Sequence, residues 1–214
     1  EEVATEALLK ATELTQARRE AAVKLERSLT KELVSLSFPQ AVFRVAVTAP
    51  EGLGMEGIHS TGRDNVEFLF SANPGEPEKP LAKIVSGGEL SRLMLAMKCL
   101  LARRDQVDTV IFDEVDAGIG GQAAEAVAGK ISELAGHHQV VCITHLPQIA
   151  ACADQHFKVE KRVDQGKTRT VINPLSQEER VAELARMLGG DRPTPQTLAF
   201  ATELMERKSR SRQV

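Results

Sequence analysis

Three short stretches of this 214-residue chain hold residue types that could handle a phosphate. Ser86-Gly87-Gly88-Glu89 opens a helical pattern. Ser-x-x-Glu alone is a capping box, in which the Ser hydroxyl accepts from the N3 amide and the Glu reaches back to the Ser amide. That explains two of the four residues and leaves the adjacent glycines, each worse than Ala in a helix by roughly 1 kcal/mol. Glycines at the positive end of a helix let an anion approach bare backbone amides. The second stretch is Val110-Ile111-Phe112, an apolar run ending in Asp113 and Glu114. A strand entering a solvated acidic loop would read the same way. Beside a nucleotide the two acids divide the work. Asp113 holds Mg²⁺ directly or through water, and Glu114 aligns the attacking water and accepts its proton, since phosphoryl transfer asks mainly for positioning and charge neutralisation. Third, His145 follows Val140–Thr144. A histidine at a strand end is most often structural. At the C-terminal edge of an open α/β sheet, where ligands collect, it can donate a hydrogen bond to a terminal phosphate.

Together these residues read as half of an ATP site. The other half, a loop of the form G-x-x-x-x-G-K-[ST], is absent from the sequence. Gly166-Lys167-Thr168 imitates its tail, but Lys161 stands where the first glycine belongs and the tripeptide joins two strand patterns, so it reads as a hairpin turn. The chain is therefore expected to lend catalytic and trans-acting groups to a nucleotide cradled by another stretch of polypeptide. Alone it is expected neither to bind ATP tightly nor to hydrolyse it.

The elements that must position these groups follow from periodicity. Residues 1–36 contain no Gly or Pro, and Leu8, Leu14, Leu25, Leu29, Leu33 and Leu36 mark an apolar stripe. This predicts either an amphipathic helix on the domain or the end of a coiled-coil arm. Phe38-Pro39 stops it. Ala41–Thr48 and Val66–Phe70 read as antiparallel strands joined by a mobile Gly-rich loop from Glu51 to Gly62, and Ala72–Pro80 as a linker without regular structure. From Lys83 onward strands and helices alternate. Helices are predicted at Leu90–Leu101, Gln122–Leu134, Leu146–Ala153, Glu178–Leu188 and Thr197–Arg207, strands at Thr109–Phe112 and Gln139–Thr144, and a hairpin at His156–Arg162 and Thr168–Ile172. Short apolar strands linked by helices imply a parallel sheet covered on both faces.

Composition narrows the function. Trp and Tyr are absent and only seven Phe remain, which argues against base stacking on aromatics as the main activity. A net charge of −3 argues against a generally basic nucleic-acid binder. Cys99, Cys142 and Cys152 show no metal or redox spacing and read as small hydrophobes in a reducing compartment. No 18-residue apolar run or signal peptide is present, so a cytoplasmic protein with no membrane partner is expected. The start at Glu1 instead of Met reads as a fragment or an engineered piece. The basic pairs and runs, Arg103-Arg104 and Lys208–Arg212, read as solvated surface.

Ser-Gly-Gly-Glu-Leu-Ser-Arg (86–92), Phe-Asp-Glu-Val-Asp-Ala-Gly-Ile-Gly-Gly (112–121) and Thr-His-Leu-Pro-Gln-Ile-Ala (144–150) resemble the C-terminal half of an ABC-type ATPase head of the SMC-like group, and within it the ATPases of DNA double-strand-break repair. The resemblance covers nearly the whole chain and is firmest from Lys83 to Lys161. It implies an α/β C-terminal lobe of a P-loop ATPase head, mostly parallel sheet with flanking helices, preceded by a coiled-coil helix. On that reading residues 1–37 end the arm and 38–214 form the lobe. Ser86, Gly87, Gly88 and Glu89 match the signature motif that touches ATP on an opposing head. Asp113 matches the Walker B acid that holds Mg²⁺, Glu114 the catalytic glutamate and His145 the switch histidine. The implied partners are an N-terminal half carrying the Walker A loop, a second identical head, and DNA, in a nucleoid-associated cytoplasmic protein. Glu89 stands where many ABC proteins have Gln, as is usual in the SMC-like group. Gly120 stands where a D-loop Asp is typical, so backbone from Gly118 to Gly121 would make that contact. Two other readings compete: a tethering or cohesion module in which the arm does the work, and a transporter's nucleotide-binding subunit, against which the arm-like helix and absent phosphate loop both count.

Overall fold

The first helix sets the frame of the N-terminal unit. In the computed structural model, which describes residues 2–49, 57–84, 86–164 and 167–211, α1 runs from Glu2 to Ser35. It ends where Ser37 takes a left-handed conformation, φ 69°, and the Phe38 amide donates back to the Leu33 carbonyl at 3.0 Å, a 6→1 closure of the last turn. Leu29, Leu33 and Leu36 are fully buried, but the column continues upstream through Ala22, Thr15 and Ala11. The expected stripe is thus corrected at its N-terminal end. Leu14 is 38% exposed, because counting back by sevens from Leu29 reaches positions 22 and 15. Small residues there let a loop approach the helix closely. A Cβ built on Gly62 would lie 2.8 Å from Leu14 Cδ2, and Gly62 itself has φ +99°.

Behind α1 stand β1 (Val42–Thr48), β2 (Asn65–Ser71) and the two-residue β3 (Lys79–Pro80), an antiparallel sheet in the order β1-β2-β3. The β1–β2 register runs from Val42 opposite Ser71 to Thr48 opposite Asn65. Residues 79–80, expected to be irregular, add a short edge strand, a position where proline's missing donor does no harm. Half of the expected mobile loop, residues 51–56, lies outside the described residues. Phe38, at the end of α1, meets Phe70 edge-on at 5.6 Å between ring centroids and carries the Arg92 guanidinium 4.9 Å above its ring. Arg92 belongs to α2 (Gly87–Leu101), which packs on α1. Burial holds the Arg92 pKa below its ordinary value, opposed by the nearby Glu89 carboxylate. These elements form one compact unit, Glu1–Leu101.

The second unit, Ala102–Val214, carries the alternating pattern. β4 (Thr109–Phe112) and β5 (Gln139–Cys142) are parallel, with Phe112 opposite Cys142, and α3 (Gly121–Leu134) makes the crossover. The expected parallel sheet is this pair; the other described pairings are antiparallel. One face holds the buried Val110 and Phe112. On the other, Ile111 and Ile143 are 67% and 57% exposed, so the expectation of cover on both faces is met on one face only. β6 (Phe157–Asp164) and β7 (Lys167–Pro174) form the expected hairpin with longer strands; Lys167 and Thr168, expected in its turn, pair within β7, and Gly166 lies outside the described residues. α4 (Pro147–Ala151), α5 (Gln177–Gly189) and α6 (Pro195–Ser211) share a core of Ala150, Ala151, Leu184, Ala185, Ala201, Leu204 and Met205. A complete capping box, Ser176 with Glu179, starts α5; its Ser-x-x-Glu spacing was legible in the sequence beside the one at 86–89.

In the first unit a buried carboxylate ties the hairpin to α1. The Asp64 side chain is fully buried; Thr15 Oγ1 donates to its Oδ1 at 2.7 Å and Arg18 Nη1 to its Oδ2 at 3.1 Å. A second Arg18 donor reaches the Thr61 carbonyl at 2.7 Å. Asp64→Ala strands Arg18 and the Thr15 hydroxyl. The expected loss is about 2 kcal/mol of stability, read as a lower urea midpoint; an unchanged midpoint refutes the role given to Asp64.

Candidate functional site

The predicted acids and the predicted histidine meet because their strands are parallel neighbours. Both chains run the same way, so the segments after Phe112 and after Cys142 leave the sheet at one edge. The Ile143 amide still donates to the Phe112 carbonyl at 2.9 Å, one residue before each chain turns away. Asp113 and Glu114 are exposed at that edge, and the His145 side chain is 70% exposed beside them.

What joins the two loops is Asp116, an acid with no role in the sequence-based site. Its side chain is 4% exposed. Thr144 Oγ1 donates to its Oδ2 at 2.5 Å, the His145 amide donates at 2.9 Å, and His145 Nδ1 lies 3.1 Å from the same oxygen. Thr144 Oγ1 also accepts from the Leu146 amide at 3.0 Å. Leu146 is the N-cap of α4, with Pro147 in its first turn. The 144–146 segment is thereby fastened both to the start of α4 and to Asp116. Under this edge the Cys142 thiol is pushed up to about 12, first by burial and then by the Asp116 and Asp113 carboxylates. It stays protonated at neutral pH and unreactive, in keeping with its reading as a small hydrophobe.

Glu114 sits in a left-handed conformation, φ 57°, one of two described non-glycine residues with positive φ. The turn is closed by the Ala117 amide donating to the Glu114 carbonyl at 3.0 Å, with Val115 fully buried inside it. Gly118 and Gly121 also have positive φ, and a Cβ on Gly118, Gly120 or Gly121 would meet nothing within 4 Å. The loop between β4 and α3 is therefore anchored by the buried Val115 and Asp116 and open at its three glycines.

Ser86, Gly87, Gly88 and Glu89 belong to the first unit. The helix begins at Gly87, three residues before the expected Leu90, because the Leu90 amide already donates to the Ser86 carbonyl at 3.1 Å. The Ser86 hydroxyl oxygen accepts from the Glu89 amide at 3.4 Å, the first half of the predicted capping box. Gly87 is exposed and Gly88 buried, so the bare helix tip is at Ser86 and Gly87. Among the described residues no group of three or more His, Cys, Asp or Glu could hold a metal ion by itself. Asp113 offers one carboxylate, which fits Mg²⁺, an ion usually bound by one or two carboxylates together with substrate phosphates and water.

No family model matches the chain. Individual proteins do. It is 46% identical over 200 residues to the DNA repair protein RecN of Streptomyces coelicolor, covering 90% of this chain and 35% of that protein. With RecN of Bacillus subtilis the identity is 41% over 214 residues, covering 95% and 37%, and with RecN of Treponema pallidum 54% over 151 residues, covering 71% and 26%. The chain belongs to the RecN family. It spans about a third of the length of these RecN relatives and corresponds to their C-terminal part. Among solved structures, the Smc head domain with coiled coil and joint from Pyrococcus yayanosii matches with a TM-score of 0.54 at 24% identity, covering 78% of this chain and 29% of that one. The Smc head domain with extended coiled coil from Pyrococcus furiosus, bound to the C-terminal domain of ScpA, matches at 0.51 and 23%, covering 80% and 39%. These likenesses show the fold of the chain, the mixed α/β C-terminal lobe of an SMC-type head.

The sequence pattern alone did not single out Asp116. The available signal was a third acid within four positions of the 113–116 stretch, and nothing local marks that acid as buried. The left-handed turn at Glu114 gives a direct test. A non-glycine residue there is strained by about 1 kcal/mol, so Glu114→Gly should be more stable than Glu114→Ala by about that amount in thermal or urea unfolding. Equal stabilities, or a less stable glycine variant, would show the turn to be unstrained.

Proposed function

We propose that this chain is the C-terminal half of the head of an ATP-hydrolysing, SMC-like DNA-repair protein that acts at double-strand breaks through ATP-dependent dimerisation of its heads. The observation that carries this reading is the shared edge of β4 and β5, where Asp113, Glu114 and His145 stand together and Asp116 Oδ2 lies 3.1 Å from His145 Nδ1. Its relatives are DNA repair proteins by name, and its fold is that of an SMC head lobe.

Each residue then has a task. Asp113 holds Mg²⁺, which when bound neutralises phosphate charge. Glu114 orients a water molecule and takes its proton. His145 donates a hydrogen bond to the terminal phosphate. Ser86, Gly87 and Gly88 present a hydroxyl and helix-tip amides to the nucleotide of a second head, with Glu89 completing the motif. Gly118–Gly121, open and rich in backbone donors, lie against that second head in place of a D-loop carboxylate. The nucleotide is cradled by the Walker A loop of the N-terminal half, and binding from both sides contributes directly to dimerisation. α1 is the returning end of the arm through which closure and opening of the heads grip or release DNA. No helix of the described residues is long and apolar enough to cross a membrane, and we place the protein in the cytoplasm with the nucleoid.

Two variants of the complete protein test the reading. Glu114→Gln should bind ATP, accumulate nucleotide-bound dimers and lose turnover on the order of 100-fold or more; normal turnover removes Glu114 from the chemistry. Ser86→Arg should leave ATP binding by the N-terminal half intact and abolish ATP-dependent dimerisation in sedimentation velocity. Undiminished dimerisation would refute action in trans. The 214-residue chain alone serves as the inactive control.

A further inference from the structure

Asp116 makes more contacts than a loop staple needs. The Thr144 hydroxyl and the His145 amide already fasten the switch segment to its Oδ2, at 2.5 and 2.9 Å. A neutral amide oxygen would accept both. The third contact, His145 Nδ1 at 3.1 Å from the same oxygen, is the one for which a carboxylate differs from an amide. A carboxylate accepts only, so Nδ1 must carry its proton and donate. This selects one tautomer of the neutral ring, with the lone pair on Nε2. It also means that Nε2 can become a donor only if the ring takes a second proton. The remaining ring is not enclosed, since the His145 side chain is 70% exposed while Asp116 is 4% exposed. The buried end of the pair is thus the fixed charge and the exposed end is the imidazole edge.

We infer that Asp116 is a positioning residue for ATP hydrolysis, which holds the His145 imidazole with Nδ1 protonated against its buried carboxylate and the Nε2 edge outward, toward a terminal phosphate. The inference rests on the assignment of His145 to the ATP site made above. Among the described residues, the polar contact to the His145 ring comes from Asp116. The arrangement has the logic of a carboxylate behind a working histidine, in which the acid sets tautomer and orientation and does not itself touch the substrate.

The decisive variant is Asp116→Asn in the complete protein, which keeps size and an acceptor oxygen for Thr144 and the His145 amide and removes the charge. It is measured beside His145→Gln and the double variant for kcat, KM for ATP and thermal midpoint. Asp116→Asn should hold KM and the midpoint near wild type and lower kcat about tenfold or more. In the His145→Gln background it should cause no further loss, since the two residues then act as one unit. A near-wild-type kcat for Asp116→Asn, or an equal fold loss with and without His145, overturns the inference while leaving the ATPase reading in place. Wild-type turnover by His145→Gln removes His145 from the site and this inference with it. Should Asp116→Asn fail to fold, the ¹⁵N shifts of the wild-type His145 ring decide. A neutral ring protonated on Nδ1 supports the pair, and one protonated on Nε2 overturns it.

Discussion

The parallel pairing of β4 with β5 is the constraint on which the candidate site depends. The Gln139 amide donates to the Asp108 carbonyl at 2.8 Å at one end of the ladder, and the Ile143 amide to the Phe112 carbonyl at 2.9 Å at the other. Between them the register pairs Thr109 with Gln139 through Phe112 with Cys142. Because the strands point the same way, the acids after β4 and the histidine after β5 must leave at one edge. An antiparallel pair would have put them at opposite ends. The crossover that makes parallel pairing possible is α3, and its N-terminal approach is the glycine-rich loop from 118 to 121.

That edge is built with a rigid base and an open rim. Val115 and Asp116 are buried, whereas Asp113, Glu114 and Gly118 are exposed. Holding Glu114 at φ 57° stores backbone strain in the residue proposed to take the proton from water, and strain of this kind persists only where the surroundings over-determine it. The Val115 side chain packed inside the turn and the three contacts to Asp116 Oδ2 are those surroundings. A raised Cys142 pKa reports the same feature from beneath, since two carboxylates and burial all oppose a thiolate there.

The first unit solves a different problem, the attachment of a long helix to a small sheet. Its lower half uses bulk: Leu29, Leu33 and Leu36 are fully buried, and Phe38 links Phe70 to Arg92 of α2. Its upper half uses close approach and polar contacts, with Ala11, Thr15 and Ala22 in the column and Asp64 clasped by Thr15 and Arg18. The signature residues open α2, the helix packed against α1, so the base of the proposed arm and the proposed trans-acting motif share one packed body.

Element types and order were legible in the chain because they rest on local signals. The absence of Gly and Pro over α1, the short apolar runs of β4 and β5 and the stop at Phe38-Pro39 each act within a few residues. So do the positions of Asp113, Glu114 and His145 at strand ends, and the Ser86 cap. What only the tertiary structure decided is which residues meet across distance. Asp116 reaches Thr144 and His145, 28 and 29 residues away, and Thr15 instead of Leu14 faces the interior because Asp64, 49 residues on, lies there. Such contacts are set by sheet register and by the angle at which a helix lies on its neighbours. No periodicity within one element carries that information, so the acid that holds the histidine was indistinguishable in sequence from loop filler.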